Sequence, residues 1–150
     1  MNDKHHQRLM FLSEIAKANR GVCLGKNSYA KLAAAIYVKN RLISIGLNSS
    51  KTSPFQQRFS KNKNHIYIHA EISAIKQAIS NMGLNEFVDA KKTLYVCRVK
   101  KFAPNSSYIW GLSKPCPGCQ SAIMEFDIDR VIYSLDEDEM NGKFYEILEF

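Results

Sequence analysis

The sequence predicts an α/β fold in which helices cover a mixed β-sheet, and three features carry that prediction. Short apolar runs of strand length alternate with segments whose apolar residues recur every three or four positions. Two of the runs are adjacent and joined by a short polar turn, while the later ones are separated by helical segments. No repeat, low-complexity tract or Pro/Ser-rich linker divides the 150 residues, so residues 1–150 read as one domain.

Residues 7–19 come first and place Leu9, Phe11, Leu12, Ile15 and Ala16 along one helical face. Ala33 to Val38 reads as a buried strand and Leu42 to Leu47 as its neighbour. Lys39-Asn40-Arg41 between them is the hairpin turn, with Asn at a position tolerant of left-handed geometry. From Asn48 to about Asn64 the chain is polar, contains Pro54 and shows no period, which predicts a long loop. Ile72, Ile75, Ile79 and Met82 then recur at helical spacing, and Gly83 stops that helix. Thr93 to Val99 is a third strand, and Pro117 opens a second central helix with Ala122, Ile123 and Phe126 on its apolar side. Val131-Ile132-Tyr133 is a fourth strand, and Phe144 to Phe150 is read as a last helix.

Composition bounds the function. Hydrophobic residues make up 45% and charged residues 23%, which excludes a disordered chain. No segment is apolar for long enough to span a bilayer, so no membrane partner is expected. The first twenty residues lack the apolar stretch of a signal peptide, so a cytoplasmic location is the expectation. In that setting four cysteines are not a disulfide framework. Cys116 and Cys119 form a pair suited to a metal or to redox chemistry, and Cys23 and Cys97 are ordinary thiols. The net charge of +7 is uneven, because residues 1–68 carry +10 and residues 69–150 carry −3. The basic half can attract a polyanion, steer a small anionic substrate, or simply be solvated.

Chemistry concentrates at the starts of the two central helices. His69-Ala70-Glu71 opens the first and Pro115-Cys116-Pro117-Gly118-Cys119 opens the second. Cysteines three apart in a first turn share one face, so both sulfurs reach one ion, and a helix N-terminus favours thiolate. With His69 as a third ligand the set suits Zn²⁺ at a catalytic site that keeps its fourth position for water. Glu71, two residues beyond His69, is placed to move protons rather than to duplicate the histidine.

His-x-Glu followed by Pro-Cys-x-x-Cys is the pattern of zinc deaminases. On these motifs and on element order, most of the chain resembles the cytidine and deoxycytidylate deaminase superfamily. The resemblance implies a cytidine deaminase-like three-layer α-β-α sandwich with a mixed central sheet. It implies zinc on His69, Cys116 and Cys119, and a proton shuttle in Glu71. It implies attack of zinc hydroxide on C4 of cytosine, protonation of N3, and loss of ammonia. It further assigns the sugar contact to Asn48 and base contacts to the Ala70 amide and the Lys114 carbonyl, and it suggests a homo-oligomer. Gly46-Leu47-Asn48-Ser49 departs from the Gly-Tyr-Asn-Gly stretch of deoxycytidylate deaminases, and Ser73 stands where they often have Asn. Gly111 to Cys116 and Lys51 to Pro54 look more like compact phage-encoded members.

Plainer readings stand beside these. Asn48 can serve only to shape the turn after its strand. Cys97 can in principle close the metal site as a fourth ligand, which would make it structural. Between Lys51 and Lys63 the basic Lys51, Arg58, Lys61 and Lys63 alternate with Phe55 and Phe59. Such a loop can follow a single strand, hold one 5′-phosphate, cover the site, or lie solvated. Trp110 is expected to pack rather than to line a pocket entrance, and His5, His6 and His65 to be surface residues. The leading function is therefore deamination of a free nucleotide or nucleoside, dCMP or deoxycytidine. Deamination of cytosine or adenine within single-stranded DNA or RNA, and a non-enzymatic zinc-stabilised nucleic-acid module, are the competitors.

Overall fold

The central strands are apolar on both faces, so the sheet they form needs cover on both sides. In the computed structural model, residues 3–20, 31–49, 54–59, 68–101, 103, 105–137 and 142–150 are described. Strands β1 (Lys31–Val38), β2 (Arg41–Leu47), β3 (Lys92–Lys100), β5 (Arg130–Ser134) and β6 (Tyr145–Glu149) lie in the order β2-β1-β3-β5-β6, and the short β4 (Ile109–Gly111) pairs with β3. The β3–β5 pair is parallel and the others are antiparallel, which makes the sheet mixed as expected.

Alternation along the strands builds two cores. Ala34, Ile36, Leu94, Val96, Val131 and Tyr133 face α3 (Ala70–Met82) and α5 (Pro117–Glu125), meeting Ile72, Ile75, Ala122 and Ile123. Ala33, Ala35, Tyr37, Tyr95, Cys97 and Ile132 face the other way, under Leu9, Leu12 and Ala16 of α1 (Lys4–Lys17). The result is three layers, α-β-α. Among the described residues no helix is long and apolar enough to cross a membrane.

Several local expectations are corrected. Helix α1 starts at Lys4 because the Asp3 carboxylate accepts from the amides of His5 and His6 as its N-cap. Phe11, assigned to the buried face, is instead 47% exposed, since the sheet meets only the stripe of Leu9, Leu12 and Ala16. His5 and His6 are not plain surface residues. The His5 Nδ1 lies 2.7 Å from the Tyr95 hydroxyl, and the His6 ring meets Phe144 edge-on. His65 and Cys23 lie outside the described residues. Trp110 packs on the α1 side of the sheet, against His6 and Phe144.

In the β1–β2 turn the left-handed residue is Lys39, at φ 56°, rather than Asn40. The Asn40 side chain serves elsewhere, accepting from Lys4 and Arg8 of α1. The long loop after β2 is interrupted by α2 (Pro54–Phe59), too short to show a helical period in sequence. A further short helix, α4 (Leu84–Asp89), follows Gly83. The predicted final helix is a strand. Tyr145–Glu149 continues the ladder on the free edge of β5, with Ile147 opposite Ile132. A five-residue segment gains more backbone hydrogen bonds from an open sheet edge than from a single isolated turn of helix.

Candidate metal centre

Two helix N-termini meet at one place because the sheet lets them come close. A side chain on Gly46 of β2 would put its Cβ 2.2 Å from the Ala74 nitrogen and 2.4 Å from the Ala70 oxygen. Glycine therefore allows the first turns of α3 to lie directly on β2, and Ser44 fastens them by donating to the Ala74 carbonyl at 2.8 Å. The approach to α5 is pinned too. The Ser113 hydroxyl donates to the Val96 carbonyl at 2.8 Å, and the Gln120 amide donates to the Pro115 carbonyl at 2.8 Å. Pro117 starts α5, and Cys116 caps it with its sulfur accepting from the Cys119 amide.

These constraints bring His69, Cys116 and Cys119 together, with ligand atoms all within 4.8 Å of one another. The His69 Nδ1 lies 3.3 Å from the Cys119 sulfur and 3.6 Å from the Cys116 sulfur. A tetrahedral zinc with bonds of ordinary length would have nitrogen–sulfur edges of roughly 3.6 Å. Donor type and spacing both fit zinc. Among the described residues the group has no fourth donor. Cys97 faces α1 on the other side of the sheet, and burial pushes its thiol up to about 12, so it does not close the site.

The Cys116 thiol is pulled down, chiefly by the hydrogen bond from Cys119, and Cys119 is pushed up because it keeps the proton that it shares. His69 is raised by its contact with Cys116 and by the charge of Glu71, against the effect of burial. Glu71, 4% exposed, is raised by burial, while its own backbone amide and His69 oppose the rise. Its carboxyl also interacts with Cys119 and His69, which sets it beside the ligands. A buried carboxyl next to three metal donors is placed to accept and return protons.

The remaining sequence-predicted residues are distributed as follows. Ala70 is buried at the first position of α3, and Lys114 is exposed just before Pro115. The Asn48 Oδ1 accepts from the Leu32 amide and from Asn19, both at 2.9 Å, so this side chain shapes the exit from β2. Arg58 reaches Glu125 of α5 at 2.7 Å. Lys51, Lys61 and Lys63 lie outside the described residues. Gln56 of α2 went unnoticed in the sequence. It is 1% exposed, and its Oε1 accepts from the His69 amide at 2.9 Å. Its place between Phe55 and Phe59 was the single available sign, and no spacing rule links it to His69.

Comparison with known proteins agrees with this arrangement. A family profile described as the cytidine and deoxycytidylate deaminase zinc-binding region matches residues 4–135. No curated protein matches. Among solved structures, the dCMP deaminase of cyanophage S-TIM5 in apo form superposes with a TM-score of 0.54 at 19% identity, covering 95% of this chain and 92% of that one. The same enzyme in complex with dCMP and dUMP gives 0.54 at 15% identity, covering 95% and 90%.

Proposed function

Since the chain belongs to the cytidine and deoxycytidylate deaminase family, we propose that it hydrolyses the exocyclic amine of cytosine in a free nucleotide or nucleoside, with dCMP or deoxycytidine as substrate. The observation that carries this reading is the buried Glu71 carboxyl beside His69, Cys116 and Cys119. Those three residues would hold zinc, which when bound would supply a Lewis acid able to lower the pKa of water from about 15.7 to about 7. Glu71 takes the proton of the attacking water and delivers it to N3 of the base. After the C4–O bond forms, Glu71 takes the remaining proton from the new C4 hydroxyl, which becomes the carbonyl, and passes it to the amine as the C4–N4 bond breaks and ammonia departs. Overall, one water enters and one ammonia leaves. The Ala70 amide and the Lys114 carbonyl read the base edge, and Asn48 approaches the sugar. Lys51 and Arg58 are the residues proposed for a phosphate, Arg58 by exchanging its bond to Glu125.

The dCMP and dUMP bound to the cyanophage enzyme are a substrate and product pair for that protein, which supports the nucleotide preference here. The +10 charge of residues 1–68 favours the second reading, deamination within a single strand. Ammonia release from dCMP, deoxycytidine and a short single-stranded oligonucleotide ranks them. Turnover of dCMP or deoxycytidine at least tenfold above the oligonucleotide is expected. Preference for the oligonucleotide, with affinity falling steeply as salt rises, would replace the first reading with the second.

A further inference from the structure

Resting on the zinc-deaminase reading above, we propose that Gln56 is a positioning residue that sets the direction of the His69 imidazole through its backbone. His69 is the N-cap of α3, with φ −85° and ψ 152°, yet its side chain makes no capping bond. The ring is turned instead toward Cys116 and Cys119, so the local contact that ordinarily holds an N-cap is missing. Its backbone amide is held from elsewhere, by the Gln56 Oε1 at 2.9 Å. Because the partner is an N–H group, only the oxygen of the Gln56 amide can face it, which settles the orientation of the side chain.

Gln56 is itself held by a helix that packs on α5. Phe55 stacks on Phe126 at the end of α5 with ring centroids 5.9 Å apart, and Phe59 meets the same ring at 6.1 Å. Arg58 adds its bond to Glu125 of α5. Helix α5 carries both cysteines, so α2 bridges the helix that presents the sulfurs and the residue that presents the nitrogen. The part-buried hydrogen bond from the His69 amide to Gln56 closes that bridge. Partners that orient a ligand are worth about 10–100-fold in metal affinity.

The test compares Gln56→Met, which keeps the length and removes the acceptor, with Gln56→Glu, which keeps the acceptor. Zinc affinity is measured by chelator competition, the ligand field by the absorption of the cobalt-loaded protein, and folding by the melting of the metal-free protein. Gln56→Met is expected to melt within a few degrees of the parent, to bind zinc about 10–100-fold more weakly, and to shift the cobalt bands. Gln56→Glu is expected to recover most of the affinity and the parent spectrum. If Gln56→Met does not fold, Gln56→Asn, one methylene too short to reach His69, takes its place with the same expectation. Parent-like affinity and spectrum in the variant without the bond overturn the proposal, as does equal weakening in Gln56→Glu. A parent protein that binds no zinc overturns the deaminase reading and this proposal together; a zinc-loaded, active parent with an unaffected Gln56→Met overturns only the latter.

Discussion

At the scale of single residues, Glu71 and Cys97 show how burial decides chemistry. Glu71→Gln preserves shape and hydrogen bonding but cannot accept a proton. We expect zinc content and melting temperature to be retained and turnover to fall by about 10²–10⁴. Unchanged turnover would remove Glu71 from the reaction. Cys116→Ser is expected to lower bound zinc from one equivalent to well below one, measured by elemental analysis after gel filtration; full occupancy would contradict the ligand assignment. Cys97 has the opposite character. Its thiol is pushed up to about 12 by burial, so at pH 8 only about one molecule in ten thousand carries the thiolate. Peptide mapping after treatment of the folded protein with a thiol reagent should find Cys97 unmodified, and modified once denaturant is added. All three residues were legible in the sequence. Cys97 needed only its place in a strand, while His69, Glu71 and the two cysteines stood at recognisable spacings. Gln56 was not legible, because its partner is a backbone amide thirteen residues away, and backbone groups leave no mark on composition.

At the scale of elements, the site depends on how closely α3 lies on β2. Gly46→Ala places a methyl group against the backbone of Ala70 and Ala74, which cannot rotate away. Overpacking of this kind costs about 1–3 kcal/mol. A fall of roughly 2–12 °C in melting temperature is expected at about 2–4 °C per kcal/mol, together with weaker zinc binding. A variant that melts like the parent would show that the contact is slack. The long elements were readable because they repeat their pattern over several turns or pairs. Helix α2, with six residues, and β4, with three, were too short to show one. The segment 145–149 was misread because alternating and helical spacings are nearly indistinguishable over five residues. The open edge of β5 decided between them.

At the scale of the whole molecule, one ion would cross-link two helices that reach the site from different parts of the chain. Binding to the folded state alone stabilises it by about 4 kcal/mol when free metal is a thousandfold above its dissociation constant. Stripping the protein with a chelator should therefore lower its melting temperature, and added zinc should restore it. A metal-free protein that melts like the loaded one would show that zinc does not bind the folded state preferentially.

The residue types of the centre, the two helices that carry it and the alternation that makes a two-faced sheet were all local properties, and the sequence by itself determined them. The three-residue spacing of the two cysteines and the two-residue step from His69 to Glu71 are set by the geometry of one turn. What only the tertiary structure decided were the contacts across the fold: Cys97 on the far face from the metal group, Gln56 behind His69, Arg58 on Glu125, and β6 on the edge of β5. Such contacts depend on which distant surface is nearby and unfilled, and that is known only after the chain has folded around it.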